Sequence, residues 1–263
     1  MTLSRREFIV LASTSVPALG LGRAWAGPTR GSASAVEREH LAIVRVPAFT
    51  TNKAKVPIVV EMDHPMTADH FITSVEVVSA GDAAPAKGKF HFTPANGRVY
   101  LAFQARLDPG TAELAVTAEC NRHGKFTTRH TVQVDEGAGG CAGGDLVVRR
   151  TDGDDVHAPV IRIAELAREG HLHKGDLIHA QVKMRHPNRR AAQAEPGIEP
   201  LYLERLEATY GDEPAGRFEM TAALSEDPFI TFGLVVRRSQ ALRVVLVNNR
   251  GQRLEARHDL RLG

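Results

Sequence analysis

The stretch from Gly137 to Gly144 reads Gly-Ala-Gly-Gly-Cys-Ala-Gly-Gly and places one thiol among glycines and alanines. Glycine has no Cβ and enters positive φ freely, so this composition offers almost nothing to bury and cannot form packed core. It divides the chain, with a β-rich segment before it and another after. The stretch reads as a mobile arm that presents Cys141 to solvent and to partners. An ordinary inter-domain linker with an incidental cysteine is the plainer reading, though linkers favour glycine and serine and seldom centre a cysteine.

The start of the chain indicates a compartment. Ser4-Arg5-Arg6-Glu7-Phe8-Ile9 reads as a twin-arginine signal, followed by an apolar run from Ile9 to Leu21 and a small-x-small cleavage site at Ala24-Trp25-Ala26. The run is too short to span a bilayer and has the length of a signal h-region. Residues 1–26 are therefore expected to be removed on export to the bacterial periplasm, leaving no membrane span. Their loss takes away Arg5, Arg6, Glu7 and Arg23, and brings the formal charge from +2 to about zero. No basic patch points to nucleic acid. With only Cys120 and Cys141 in the sequence, a multi-bridge scaffold is excluded, while a single Cys120–Cys141 bridge stays open in an oxidising compartment.

The remaining residues suit two domains of about a hundred residues each. Residues 27–38 form a Gly/Ser/Ala/Pro leader. Short β-branched segments follow, Val56–Met62, Ile72–Val78, Gly88–Phe92, Arg98–Phe103, Glu113–Ala118 and Thr127–Val134. Turn chemistry separates them at Pro94-Ala95-Asn96-Gly97 and Asp108-Pro109-Gly110. After a charged linker from Asp145 to Ala158 come Ile161–Ile163, Leu177–Met184, Leu203–Tyr210, Phe229–Leu234 and Leu242–Val247. The last turns at Asn248-Asn249-Arg250-Gly251 into Arg253–Leu260. This pattern predicts an all-β protein of two immunoglobulin-like β-sandwich domains, residues 27–136 and 158–263, joined by a Gly-rich arm and linker over 137–157.

Gly139-Gly140-Cys141-Ala142-Gly143 resembles the Gly-Gly-Cys-Gly-Gly arm of SoxY, the sulfur-carrying subunit of bacterial thiosulfate oxidation, with Ala142 in place of one glycine. His64-Pro65-Met66-Thr67 and His91–Arg98 are similar to core motifs of that family. Residues 158–263 resemble its partner SoxZ, through Arg185-His186-Pro187-Asn188, Phe218-Glu219-Met220 and Asp227–Phe232. The chain thus resembles a SoxYZ fusion, or a SoxYZ-like carrier of the type associated with quinoprotein dehydrogenases. The resemblance implies a sulfur species bound covalently to Cys141. The implied partners are other periplasmic sulfur-oxidation enzymes or a quinoprotein dehydrogenase. One departure concerns reach: in SoxY the cysteine motif ends the chain, whereas here residues 142–263 follow it.

A second constellation lies in the first half: Glu39-His40, then His64 and His70 in the stretch Asp63–Ile72, then Cys120-Asn121-Arg122-His123-Gly124. Taken singly, His64 or His70 reads more simply as a satisfied core histidine. As a set, the five residues resemble the ligand segments of superoxide reductases of the desulfoferrodoxin and neelaredoxin kind. In that family four histidines and one axial cysteine hold a single iron on an immunoglobulin-like sandwich. The resemblance implies iron held by His40, His64, His70, Cys120 and His123, with the family's aromatic at Phe126. Imidazole and thiolate are apt donors for iron. The family's catalytic lysine is missing, since the entry segment reads Arg38-Glu39-His40 here. His157, His171, His173, His179 and His258 lack a partnered spacing and read as surface residues, while His186 reads as structural or part of a docking surface.

A periplasmic sulfur carrier acting through Cys141 is the expected function. An iron superoxide reductase-like protein and a docking module for a periplasmic dehydrogenase are its rivals.

Overall fold

Alternation of buried and exposed residues with period two sets the architecture. The structure, a computed structural model, describes residues 34–135, 156–190 and 199–263. The Gly-rich arm, Cys141 and the signal segment lie outside the described residues. The first half supplies a short helix α1 (Ala35–His40) and strands β1 (Ile43–Arg45), β2 (Phe49–Thr50), β3 (Val56–Met62) and β4 (Ile72–Ser79). It continues with β5 (Ala86–His91), a 3-10 turn at Pro94–Asn96, β6 (Val99–Ala105), β7 (Gly110–Cys120) and β8 (Gly124–Val134). The second half supplies β9 (Val160–Ile163), α2 (Ala164–Glu169), β10 (Leu177–Lys183) and β11 (Leu203–Tyr210). β12 (Glu213–Met220), β13 (Phe229–Val235), β14 (Gln240–Asn248) and β15 (Arg253–Leu260) complete it.

These strands make two sheets, and each sheet runs through both halves. The six-stranded sheet has the order β1-β3-β6-β13-β10-β9, and the nine-stranded sheet the order β15-β14-β11-β12-β5-β4-β7-β8-β2. Val56, Ile58, Val60 and Met62 of β3 are buried against Val75 and Val77 of β4 and Leu114 and Val116 of β7 within the first half. Ile178 and Ala180 of β10, Phe232 and Leu234 of β13, and Leu242 and Val244 of β14 do the same in the second.

The all-β immunoglobulin-like class stands, and the two sandwiches are continuous with each other. They join edge to edge at two seams. β6 pairs with β13, matching Leu101 to Phe232 and Phe103 to Ile230, and β5 pairs with β12, matching Phe90 to Phe218 and Lys89 to Glu219. Four edge strands thereby find partners, which removes the unpaired N–H and C=O groups that two separate sandwiches would expose. Between the seams Phe90 packs 5.0 Å from Phe103 and 5.5 Å from Phe218, and Phe218 lies 5.3 Å from Phe232, ring centre to ring centre.

Asn96, fully buried, staples the same junction. Its amide donates to the carbonyls of Ala215 and Gly233, both at 2.8 Å, while its oxygen accepts from the Thr93 N–H at 2.7 Å. Gly97 follows at φ +65°, where a Cβ would stand 2.0 Å from the Val235 side chain, so no larger residue fits this turn.

His186 settles as structural. It is buried, its N–H donates to Asp227, and its Nδ1 accepts from the Asn188 N–H at 3.2 Å.

Because Phe218 fills the junction from the second half against Phe90 of the first, Phe218→Ala is expected to cost about 3–5 kcal/mol. Scanning calorimetry should show one endotherm moving down as a whole; two endotherms with only one displaced would contradict a shared core.

Candidate metal centre

Three separate pieces of backbone carry the five histidine and cysteine residues to one place. Helix α1 brings His40. Its start is fixed by a capping box, in which the Ser34 hydroxyl accepts from the Glu37 N–H and the Glu37 carboxylate accepts from the Ser34 N–H. His40 is fully buried, and it is the one buried residue of that helix. The β3–β4 connection brings His64, buried, and His70, half-buried. The β7–β8 turn brings Cys120, 3% exposed, and His123 on the open side.

Two of these pieces are clasped together. The Asn121 side chain accepts from the Phe71 N–H at 2.9 Å and donates to the Asp69 carbonyl at 3.1 Å. Arg122 donates through Nε to the same carbonyl at 2.8 Å and forms an ion pair with the Asp69 carboxylate. The Asp69 carboxyl group is held below its usual range, first by the Thr67 hydroxyl and then by its own backbone N–H and Arg122. The clasp thus locks His70 beside Cys120 and His123.

Donor atoms of His40, His64, His70 and Cys120 all lie within 4.8 Å of one another. His123 joins them: its Nδ1 is 3.1 Å from His40 Nε2 and 3.8 Å from Cys120 Sγ. Phe126 closes the other side of His40, ring centres 4.6 Å apart.

The hydrogen bonds fix which ring nitrogen carries the proton. His40 Nδ1 lies 2.6 Å from the Val36 carbonyl, and His64 Nδ1 lies 2.6 Å from the Pro65 carbonyl. A carbonyl only accepts, so both Nδ1 atoms donate. In the neutral rings both Nε2 atoms then carry lone pairs, yet they face each other at 3.0 Å. Two lone pairs at that separation repel unless a cation or a proton stands between them. The buried Nε2 of His70 finds no hydrogen-bond partner among the described residues. Backbone carbonyls that orient imidazole rings from behind are the usual support of metal-ligating histidines.

Cys120 fits the same description. Its sulfur accepts from the Arg122 N–H at 3.4 Å. It forms no disulfide among the described residues. Proton affinity is low at two of the histidines. Burial pushes the His64 pKa down, helped by His40 and His70 and opposed by the Pro65 carbonyl. Burial likewise lowers that of His70, helped by His123 and Arg122.

All five residues singled out in the first half are therefore brought together, while Cys141 lies outside the described residues. The supporting Asn121, Arg122 and Asp69 carry no signal of their own in the sequence. His179, read as an unpartnered surface residue, is in fact paired, its Nδ1 2.7 Å from Glu165.

Comparison with known proteins adds the family. Residues 29–141 match the family described as sulfur oxidation protein SoxY, and residues 167–259 match that described as sulphur oxidation protein SoxZ. The chain is a SoxYZ fusion. Both edge-to-edge seams therefore join SoxY strands to SoxZ strands. Among curated protein sequences none matches the fusion. Among solved structures, a variant of the superoxide reductase (neelaredoxin) from Ignicoccus hospitalis is similar at 22% identity and TM-score 0.36. That match covers 41% of the fusion and 92% of the other chain. A second variant of the same Ignicoccus hospitalis protein matches at 17% identity and TM-score 0.33, over 41% and 82%. A hypothetical protein of Pyrococcus horikoshii OT3 matches at 19% identity and TM-score 0.29, over 41% and 90%.

The lowered proton affinity has a signed consequence for the metal-free fusion. His64 and His70 titrate below their ordinary value of 6.5, so between that value and their folded values the unfolded chain binds more protons. Their contribution to stability is full above pH 6.5 and is lost as the pH falls through the folded values. Thermal unfolding in chelator should show a midpoint that drops below pH 6.5 more steeply than in a variant with His64→Phe and His70→Asn. Equal slopes would count against an electrostatically strained cluster.

Proposed function

We propose that this SoxYZ fusion is a periplasmic sulfur carrier that holds sulfur covalently on Cys141, and that its SoxY domain holds one iron ion. The carrier reading rests on one observation. The SoxY match runs to Cys141 as its last residue, and a SoxZ partner follows in the same chain and the same two sheets. A thiolate on a glycine-rich stretch is an accessible nucleophile. Joining it to thiosulfate through a new S–S bond releases two electrons, which a partner sulfur-oxidation enzyme must accept. The carrier makes and breaks no bond unaided. The twin-arginine segment supports the periplasm, and no described helix is long and apolar enough to cross a membrane.

The facing Nε2 atoms of His40 and His64 support the metal. The donor set fits a cation of intermediate softness, four imidazoles and one thiolate with no carboxylate among them. Five donors exceed the four of a closed structural zinc site and suit iron. Bound there, iron would supply one-electron redox chemistry. The chain's own residues do the rest: Val36 and Pro65 orient two rings, the Asn121–Arg122 clasp sets two more donors, and Phe126 shields His40 from water. A superoxide reductase-like activity is the second reading, favoured by the position of His123 on the open side of the cluster. Arg38-Glu39 in place of that family's lysine weighs against it.

Protein purified with and without oxygen should be assayed for iron, free thiols and intact mass. One iron per chain is expected, lost in Cys120→Ser and kept in Cys141→Ser, with sulfur adducts lost in Cys141→Ser alone. Alkylation of the native protein should label Cys141 well before the buried Cys120. A metal-free protein whose two cysteines form a quantitative disulfide would reject the iron site and leave a redox-switched carrier. Sulfur adducts that survive Cys141→Ser would reject the carrier role.

A further inference from the structure

Away from the histidine cluster, on the outer face of the six-stranded sheet, helix α2 overhangs strands of both domains and leaves a cleft of about 650 Å³. Strand register places three polar side chains of its floor in one row. Arg162 on β9 is paired with Gln181 on β10, and Gln181 with Thr231 on β13. Neighbouring strands stand about 4.8 Å apart, so the three side chains are adjacent. The next row holds Tyr100 of the SoxY domain, whose ring reaches across Gly233 to lie 4.3 Å from His179.

What distinguishes this floor is that its polar groups have no assigned work. The side chains of Arg162, Gln181, Thr231 and Tyr100 make no hydrogen bond or ion pair among the described residues. Thr231 is 8% exposed, and its hydroxyl opens to the cleft.

The cleft's one carboxylate, Glu165, is by contrast fully occupied. It accepts from the His179 N–H at 2.9 Å and faces His179 Nδ1 at 2.7 Å, with Arg168 3.6 Å away. Those two hydrogen bonds outweigh burial and hold its pKa below the usual range. A cation would find no uncommitted carboxylate here, and an apolar ligand would strand a guanidinium and a hydroxyl out of water. The idle groups can all donate: a guanidinium, an amide, an aliphatic hydroxyl and a phenol. Burial and the nearby Glu61 raise the Tyr100 pKa, so that phenol keeps its proton.

We propose that this cleft binds a tetrahedral oxoanion head group. Arg162 supplies the charge, Gln181 and Thr231 orient the oxygens, and Tyr100 and α2 form the wall around whatever bears the head group. The site draws on both domains and needs neither Cys141 nor the metal. It therefore stands or falls apart from the carrier reading.

The test is a calorimetric titration of the full chain with sulfate, thiosulfate, methanesulfonate and phosphate at constant ionic strength. Arg162→Gln and Thr231→Val are titrated alongside, their folding checked by thermal unfolding. One saturable site per chain is expected, weakened roughly tenfold to a hundredfold by Arg162→Gln and about fivefold by Thr231→Val. Tighter binding of sulfate, thiosulfate or phosphate identifies a free inorganic ion as the occupant. Equal or tighter binding of methanesulfonate identifies a sulfonate at the end of a larger molecule. No saturable binding of any of the four, or wild-type affinity in either folded variant, overturns the proposal.

Discussion

Backbone pairing across the two seams is the constraint on which the rest of this molecule depends. A SoxY sandwich alone would leave β5 and β6 as bare edges, and a SoxZ sandwich alone would leave β12 and β13 bare. Bare edges are templates for aggregation, and burying them against anything but another strand strands their N–H and C=O groups. Edge-to-edge union solves both difficulties at once and forces the two cores to meet. Phe90, Phe103, Phe218 and Phe232 fill the space that results. Asn96 then satisfies carbonyls on two SoxZ strands that the turn at the seam would otherwise leave unmet. The domain boundary visible in the sequence is thus no boundary in the packing, and residues 34–263 group as one unit.

The seam also dictates where chemistry can sit. The histidine and cysteine cluster is built from α1, the β3–β4 connection and the β7–β8 turn, all of them SoxY elements. The cleft under α2 is the opposite case. Tyr100 belongs to β6 and Thr231 to β13, strands that are neighbours only because the seam exists. Separating the domains would leave the first site its full set of donors and would take Tyr100 from the wall of the second.

Much of this was legible in the sequence, for identifiable reasons. Strands such as Val56–Met62 and Leu203–Tyr210 announce themselves by alternation and β-branching. The five candidate ligands were legible because their spacing survives in three short segments. β12 was missed: Glu213-Pro-Ala-Gly-Arg opens it with a proline and a glycine, both poor strand formers. The edge-to-edge seams were invisible because register between distant strands leaves no local pattern. The pairing of His179 with Glu165 was missed for the same reason, since it joins β10 to α2 across a turn. Arg162, Gln181 and Thr231 look like ordinary solvent-facing positions in three separate strands. Only their register makes them one row.

Helix α1 shows how closely fold and site are coupled. Six residues are too few for a helix to persist on its own, and the capping box offsets only part of that cost. Of its six residues only His40 is buried, while Val36 remains 42% exposed. The helix is therefore not held by an apolar face in the ordinary way. It is held by an imidazole that donates back to Val36 and turns its other nitrogen toward His64, His123 and the cysteine. An arrangement of facing lone pairs is repulsive when empty and attractive around a cation. On this logic an ion bound by the cluster would dock α1 as it bound, and would order the segment leading into the SoxY sandwich.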